Sequence, residues 1–274
     1  MVELDALLRD PQPLVDLARA AGRAAFEIYQ SAHYETSYKP DRSPLTLADL
    51  RANEIIVAGL KRLTPQVPVV SEEMQVPPAA ERAGWERLWL VDPLDGTKEF
   101  LERSGEFTIN IALIENAEPI LGVVHAPALD LTFCGGTKCG AFRELADGGR
   151  ETLTVERYRG GTPRVVASRS HSGPRTEAFL ARLGEHRRTN IGSSLKICLV
   201  ATGNADLYAR FAGTSEWDVA AAHAVVNAAG GTLTDLCGTP LRYNKASVRN
   251  PSFIVSAPGF PWERLVTDDD RARV

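Results

Sequence analysis

Apolar residues recur at helical spacing between positions 12 and 31. Leu14, Leu17, Ala18, Ala21, Ala25 and Ile28 fall on one side, which predicts an amphipathic helix. Thr46 followed by Asp49 has the spacing of a capping box, and Leu47, Leu50, Ile56, Val57 and Leu60 supply the apolar side of a second helix that ends before Pro65 and Pro68. The pattern then shortens. Residues 67–70 read as a strand that stops at Ser71-Glu72-Glu73, and residues 88–91 as a buried central strand that stops at Asp92, where Pro93, Asp95 and Gly96 are breakers. Residues 107–114 and 120–125 predict two strands joined as a hairpin through 116–119, and 131–134 and 141–144 continue the β pattern. The glycine-rich stretch 145–151 is the candidate boundary between a half at 1–150 and a half at 151–274, both parts of one compact unit. The second half alternates: a strand at 164–167, a helix at 173–183, a helix at 194–202 closed by Gly203, a strand at 206–211, an alanine-rich helix at 217–229 and a strand at 253–256. The polar residues 267–274 read as a mobile tail. The sum is an α+β protein of helices layered on sheets.

Composition narrows the class. A chain of 274 residues that is 44% hydrophobic can bury a sizeable core. A net charge of -4 argues against a general binder of nucleic-acid polymers, which would carry a basic surplus. Glu3, Asp5, Arg9 and Asp10 interrupt the leading leucines, so no signal peptide is expected. No apolar run approaches the ~20 residues of a membrane span. The cysteines, at 134, 139, 198 and 237, match no zinc spacing and read as buried or half-buried free thiols in a reducing compartment. A soluble, cytoplasmic protein is expected.

Candidate chemistry lies where elements end. Glu72 follows one apolar strand, Asp92 and Asp95 follow another, and Asp218 sits in the first turn of the alanine-rich helix. Hard carboxylate oxygens suit Mg²⁺, and two ions about 4 Å apart can hold both the attacking and the leaving oxygen of a phosphoryl transfer. Asp92 is placed to bridge them. Taken singly, each residue has an ordinary structural explanation. Asp218 can cap a helix, Asp95-Gly96 is a common turn pair, Glu72-Glu73 can be a solvated acidic pair, and Asp49 can be the N3 partner of Thr46.

Taken in order, the motifs resolve that ambiguity. Ser71-Glu72-Glu73, Asp92-Pro-Leu94-Asp95-Gly96-Thr97, Trp217-Asp218-Val-Ala-Ala-Ala and Gly230-Gly231 resemble the signatures of the inositol monophosphatase superfamily. Ser43-Pro-Leu-Thr46, Lys98-Glu99-Phe100, Gly105-Glu-Phe-Thr-Ile-Asn110, Ser168-Arg-Ser-His171 and Gly192-Ser193-Ser-Leu-Lys196 narrow the resemblance to the bacterial 3'(2'),5'-bisphosphate nucleotidases of the CysQ type.

The resemblance implies a layered α/β/α/β/α sugar-phosphatase fold, shared with fructose-1,6-bisphosphatase, and a lithium-sensitive phosphomonoesterase using two or three Mg²⁺. It implies Glu72, Asp92, Asp95, Asp218 and the carbonyl of Leu94 as metal ligands, and Asp49 with Thr97 as the pair that orients and deprotonates water. Glu72, Leu94, Asp95, Gly96, Thr97, Ser168, His171, Ser193, Lys196 and Asp218 are the implied substrate contacts, with Lys196 at the non-scissile phosphate. The implied substrate is adenosine 3',5'-bisphosphate or its sulfated form, 3'-phosphoadenylyl sulfate, within sulfur assimilation. Peripheral contact with the inner membrane is implied by resemblance alone. An inositol or sugar monophosphatase is the alternative, against which stands Thr97-Lys98-Glu99 where those relatives usually carry Thr-Thr-Asn. An inactive sensor of nucleotide phosphates on the same scaffold is a lesser one.

Overall fold

The structure is a computed structural model, which describes residues 3–31, 36–38, 44–145, 148–169, 173–211 and 213–272. After a short helix at Leu4–Arg9 (α1), the amphipathic helix runs over Gln12–Ser31 (α2). A hairpin of Thr36–Tyr38 (β1) and Pro44–Thr46 (β2) leads to Leu47–Leu63 (α3), which begins with the expected capping box of Thr46 and Asp49. The first large sheet then forms from Val69–Ser71 (β3), Arg87–Asp95 (β4), Thr108–Glu115 (β5), Glu118–Ala126 (β6), Leu131–Gly136 (β7), Gly140–Glu144 (β8) and Arg150–Thr152 (β9), in that order across the sheet. Short helices at Ala79–Arg82 (α4) and Thr97–Leu101 (α5) flank β4. Only β3 runs parallel to its neighbour.

The second sheet contains Arg164–Ser168 (β10), Arg187–Ile191 (β11), Leu207–Arg210 (β12), Thr232–Asp235 (β13) and Phe253–Ser256 (β14), in the order β11-β10-β12-β14-β13. Its helices are Pro174–Leu183 (α6), Leu195–Ala201 (α7) and Glu216–Ala228 (α8), and the chain closes with Asp268–Ala272 (α9).

Why the layers stack this way is written in β4. Successive side chains of a strand point to opposite faces, and β4 is apolar at every position from 88 to 91. Trp89 and Val91 enter a core shared with α2 and α3. Leu88 and Leu90 enter a second core, shared with α7, α8 and the inner face of the second sheet through Val166, Tyr208, Phe253 and Val255. A third core beneath α6 covers the far face of that sheet. The result is the α/β/α/β/α stack that the sequence implied. Gly122 and Gly135 let α8 lie close on the first sheet: a Cβ on Gly122 would stand 2.2 Å from the Ala221 carbonyl, and one on Gly135 2.6 Å from the Val225 Cα.

Several expectations change. The central strand does not end at Asp92 but continues to Asp95 across a register shift. Pro93 has no N–H for the ladder; the Leu94 N–H turns instead to Asp92 Oδ1 at 3.0 Å, and pairing resumes at Asp95. The hairpin between β5 and β6 turns on two residues rather than four, Asn116 and Ala117, both at positive φ as a type I′ turn requires. Residues 268–272 form a helix rather than a mobile tail, because Asp270 accepts from the Thr267 N–H and hydroxyl and pairs with Arg182. Cys237 is exposed. No helix among the described residues is long and apolar enough to cross a membrane.

Candidate active site

Three elements deliver three carboxylates to one point. Ser71 pairs with Val91 in parallel register, and the Glu72 N–H extends the pairing by one bond to the Val91 carbonyl at 3.1 Å, which sets Glu72 beside Asp92. Asp92 lies on β4, 1% exposed, opposite Asn110. Asp218 occupies the first turn of α8, where it completes a capping box by accepting the Ser215 N–H at 2.8 Å. The preceding residue pair fixes that helix end further. Glu216 is fully buried and accepts from the backbone N–H groups of Asn244 and Lys245 and from Lys245 Nζ at 2.6 Å. One carboxylate oxygen from each of Glu72, Asp92 and Asp218 lies within 4.8 Å of the other two.

Asp95 stands in the adjoining wall rather than within that trio. Its Oδ2 accepts the Ser193 hydroxyl and the Ser194 N–H, each at 2.6 Å. Leu94, between the two aspartates, is 2% exposed.

The electrostatics of this arrangement are unfavourable for bare protein. Burial, then the charges of Glu72, Asp95 and Asp218, hold the Asp92 carboxyl well above the usual carboxylate range. Burial and the charges of Asp95 and Glu72 push Asp218 up to about 8, and burial raises Asp95 against the pull of Lys196. Carboxylate oxygens within 4.8 Å of one another repel by on the order of 3 kcal/mol at the effective dielectric of a protein site. Among the described residues, none of Asp92, Asp95 and Asp218 takes part in an ion pair. The converging oxygens therefore fit a small hard divalent cation, which removes the repulsion and takes this donor type.

A cleft of about 220 Å³ meets this cluster at Asp218. Asp95, Gly96, Thr97 and Asp218 line it together with Ser168, Ser193 and Lys196. Gly96 adopts φ 91° immediately before α5, a conformation that favours glycine, and so turns Thr97 toward the cleft as the first residue of that short helix. Asp49 is 2% exposed, and its Oδ2 accepts the Thr46 N–H at 2.8 Å and hydroxyl at 2.6 Å, so the capping role read from its spacing is realised. Lys196 is buried on α7, not on a solvated face. Its ammonium donates to the Ser193 carbonyl, and burial, opposed by Asp95, lowers it to about 8. His171 lies outside the described residues.

The segment 105–110 joins the two halves of the wall. Glu106 accepts Arg169 at 2.8 and 2.6 Å and the Gly192 N–H at 2.7 Å. The Thr108 hydroxyl bonds those of Ser193 and Ser194, and Ser194 Oγ donates to Asn110 Oδ1 at 2.7 Å. In the sequence this motif carries a resemblance and no individual role. Tyr208 and Arg210, which line the cleft from β12 beside Lys196, are not among the residues the sequence predicts for the site. The one available signal was a cation closing an otherwise apolar strand.

Known proteins share this plan. Residues 10–267 match the inositol monophosphatase family. The 3'(2'),5'-bisphosphate nucleotidase CysQ of Escherichia coli (strain K12) is 49% identical over 243 residues, covering 88% of this chain and 96% of the relative. The protein of the same name from Salmonella typhimurium is 49% identical over 248 residues, 89% and 98% of the respective chains. The crystal structure of CysQ from Bacteroides thetaiotaomicron, a bacterial member of the inositol monophosphatase family, superimposes with a TM-score of 0.77 at 42% identity over 90% of this chain and 96% of that one. With its layered sheets and its converging carboxylates, the chain belongs to the inositol monophosphatase family.

Proposed function

We propose that the protein hydrolyses the 3'-phosphate of adenosine 3',5'-bisphosphate, and of its sulfated form, to release inorganic phosphate. The relatives' names support this reading, and the observation that carries it is the buried Lys196. The cleft that Asp218 and Asp95 line is lined also by the buried ammonium of Lys196, which suits a substrate bearing more than one phosphate. Arg210 and the hydroxyls of Ser168 and Ser193 add donors to the same wall.

In this reading Glu72, Asp92, Asp95 and Asp218, with the Leu94 carbonyl, hold two or three Mg²⁺. Bound there, Mg²⁺ supplies charge neutralisation for the phosphoryl oxygens and a lowered pKa for water. Thr97 positions the attacking water through its hydroxyl, and Asp49 receives the proton. Gly96 and Thr97 orient the scissile phosphate with their backbone N–H groups. Lys196 holds the 5'-phosphate, which sets the nucleotide's direction in the cleft. The departing ribose oxygen takes its proton from solvent. A cytoplasmic setting accompanies the reading, since all four cysteines are free.

Side-by-side phosphate release from adenosine 3',5'-bisphosphate and inositol 1-phosphate, with Mg²⁺ and with excess chelator, tests this. Faster turnover of the nucleotide, lost on chelation, is expected. Faster turnover of the inositol ester would move the assignment to an inositol monophosphatase. Tight nucleotide binding with no phosphate released from either compound would make the protein a sensor.

A further inference from the structure

The hairpin of β7 and β8 brings together two cysteines that the cleft does not use. Gly136 pairs with Gly140, leaving Thr137, Lys138 and Cys139 to form the turn. Cys134 lies two residues before Gly136 and on the same face of the strand. A Cβ placed on Gly136 would stand 3.2 Å from Cys139 Sγ. The Cys139 sulfur therefore folds back over that glycine, onto the face that carries Cys134. Both residues pack in the core shared with α2 and α3, and the Cys139 thiol donates to the Gly140 carbonyl at 3.4 Å. Their exposure differs: Cys134 is fully buried, whereas Cys139 is half-buried and open to small reagents.

The other two cysteines are placed elsewhere. Cys198 belongs to the core on the opposite face of the sheet, and Cys237 is exposed beyond β13. Neither can reach this pair without unfolding.

We infer that Cys134 and Cys139 form an oxidation-sensitive dithiol, which a peroxide converts into an intrachain disulfide. Cys139 is the attacking sulfur. The neighbouring Cys134 thiol and the charge of Arg150 favour its thiolate, while burial holds Cys134 as the thiol. The Cys139 thiolate attacks one peroxide oxygen and breaks the O–O bond, giving a sulfenic acid and a hydroxide that is protonated to water. The Cys134 sulfur then attacks the sulfenic sulfur and expels its hydroxyl, which leaves as water with the Cys134 proton. Two thiols are oxidised by two electrons, and one peroxide is reduced to two waters.

The test uses the full reduced chain treated with one equivalent of hydrogen peroxide, followed by alkylation and mass analysis. Trypsin cuts after Lys138, between the two cysteines, so the disulfide appears as two peptides joined without reductant and parted with it. We expect loss of two free thiols and of the mass of two hydrogens, with the joined peptides forming about tenfold faster than any modification of Cys237. Cys139→Ser, a change at a half-exposed turn, should abolish the crosslink with phosphate release unchanged. Cys134→Ser should instead leave a sulfenic acid on Cys139 that dimedone traps. Four alkylatable thiols after peroxide, a first oxidation at Cys237, or over-oxidised Cys139 beside an unmodified Cys134 would each overturn the inference.

Discussion

Replacing Asp92 by asparagine removes one charge from a cluster that repels itself and also the carboxylate best placed to touch both neighbours. Phosphate release by Asp92→Asn should fall by roughly a thousandfold or more, as loss of preorganised electrostatic stabilisation does. The melting temperature of the metal-free protein should hold or rise, because the repulsion falls with it. Activity close to that of the unaltered chain would remove Asp92 from the mechanism. The pH dependence of stability follows from Asp218. Its folded-state value, near 8, lies above the ordinary 3.8, so the folded chain holds that proton more tightly than the unfolded chain. Metal-free protein should therefore become more stable as pH falls through about 8 and less stable as it rises. Saturating Mg²⁺ should flatten that slope, since the cation replaces the proton. Thermal melts on either side of this pH, with and without Mg²⁺, check both statements. Glu72, Asp92 and Asp218 could be named from sequence because their motifs, taken in order, resemble those of a known family, although Asp92 proves to lie within β4 and not past its end. Tyr208 and Arg210 could not: nothing along the chain says that β12 faces α7 across a cleft.

Among the elements, α8 is the one whose placement decides the site, since it carries Asp218 and lies on the first sheet over Gly122 and Gly135. Gly122→Ala puts a carbon where the Ala221 carbonyl already is. We expect a loss of about 2 kcal/mol or more in urea unfolding. Phosphate release should fall with it, since moving α8 separates Asp218 from Asp92. Wild-type stability in that variant would show that the helix–sheet contact can relax. The elements best read from sequence are those with a strong period, such as α2 and the apolar run of β4. The elements missed lack one. β11, Arg-Arg-Thr-Asn-Ile, is almost wholly exposed and is a strand only because β10 offers it an edge. α9 owes its form to Arg182 and Arg175, which reach Asp270 from α6, far away in the chain. The overrun of β4 past Asp92 depends on a side chain accepting a backbone N–H, which no hydrophobic pattern reports.

For the whole molecule, the decisive feature is the core that α7 and α8 share with both sheets. Neither sheet closes its own interior. Urea unfolding followed by tryptophan fluorescence, which reports Trp85, Trp89, Trp217 and Trp262, and by far-ultraviolet circular dichroism should give one coincident transition. Two separated transitions would mean that the halves are independent after all. The same core has a bearing on biosynthesis. A ribosome releases the strands of the first sheet well before residues 195–228, so one flank of that sheet waits uncovered while more than forty further residues are made. During that interval the nascent polypeptide displays Leu88, Leu90, Ala112, Ile114 and Val124 to the cell. It should bind a holdase chaperone until α8 emerges, and release it once the helix docks.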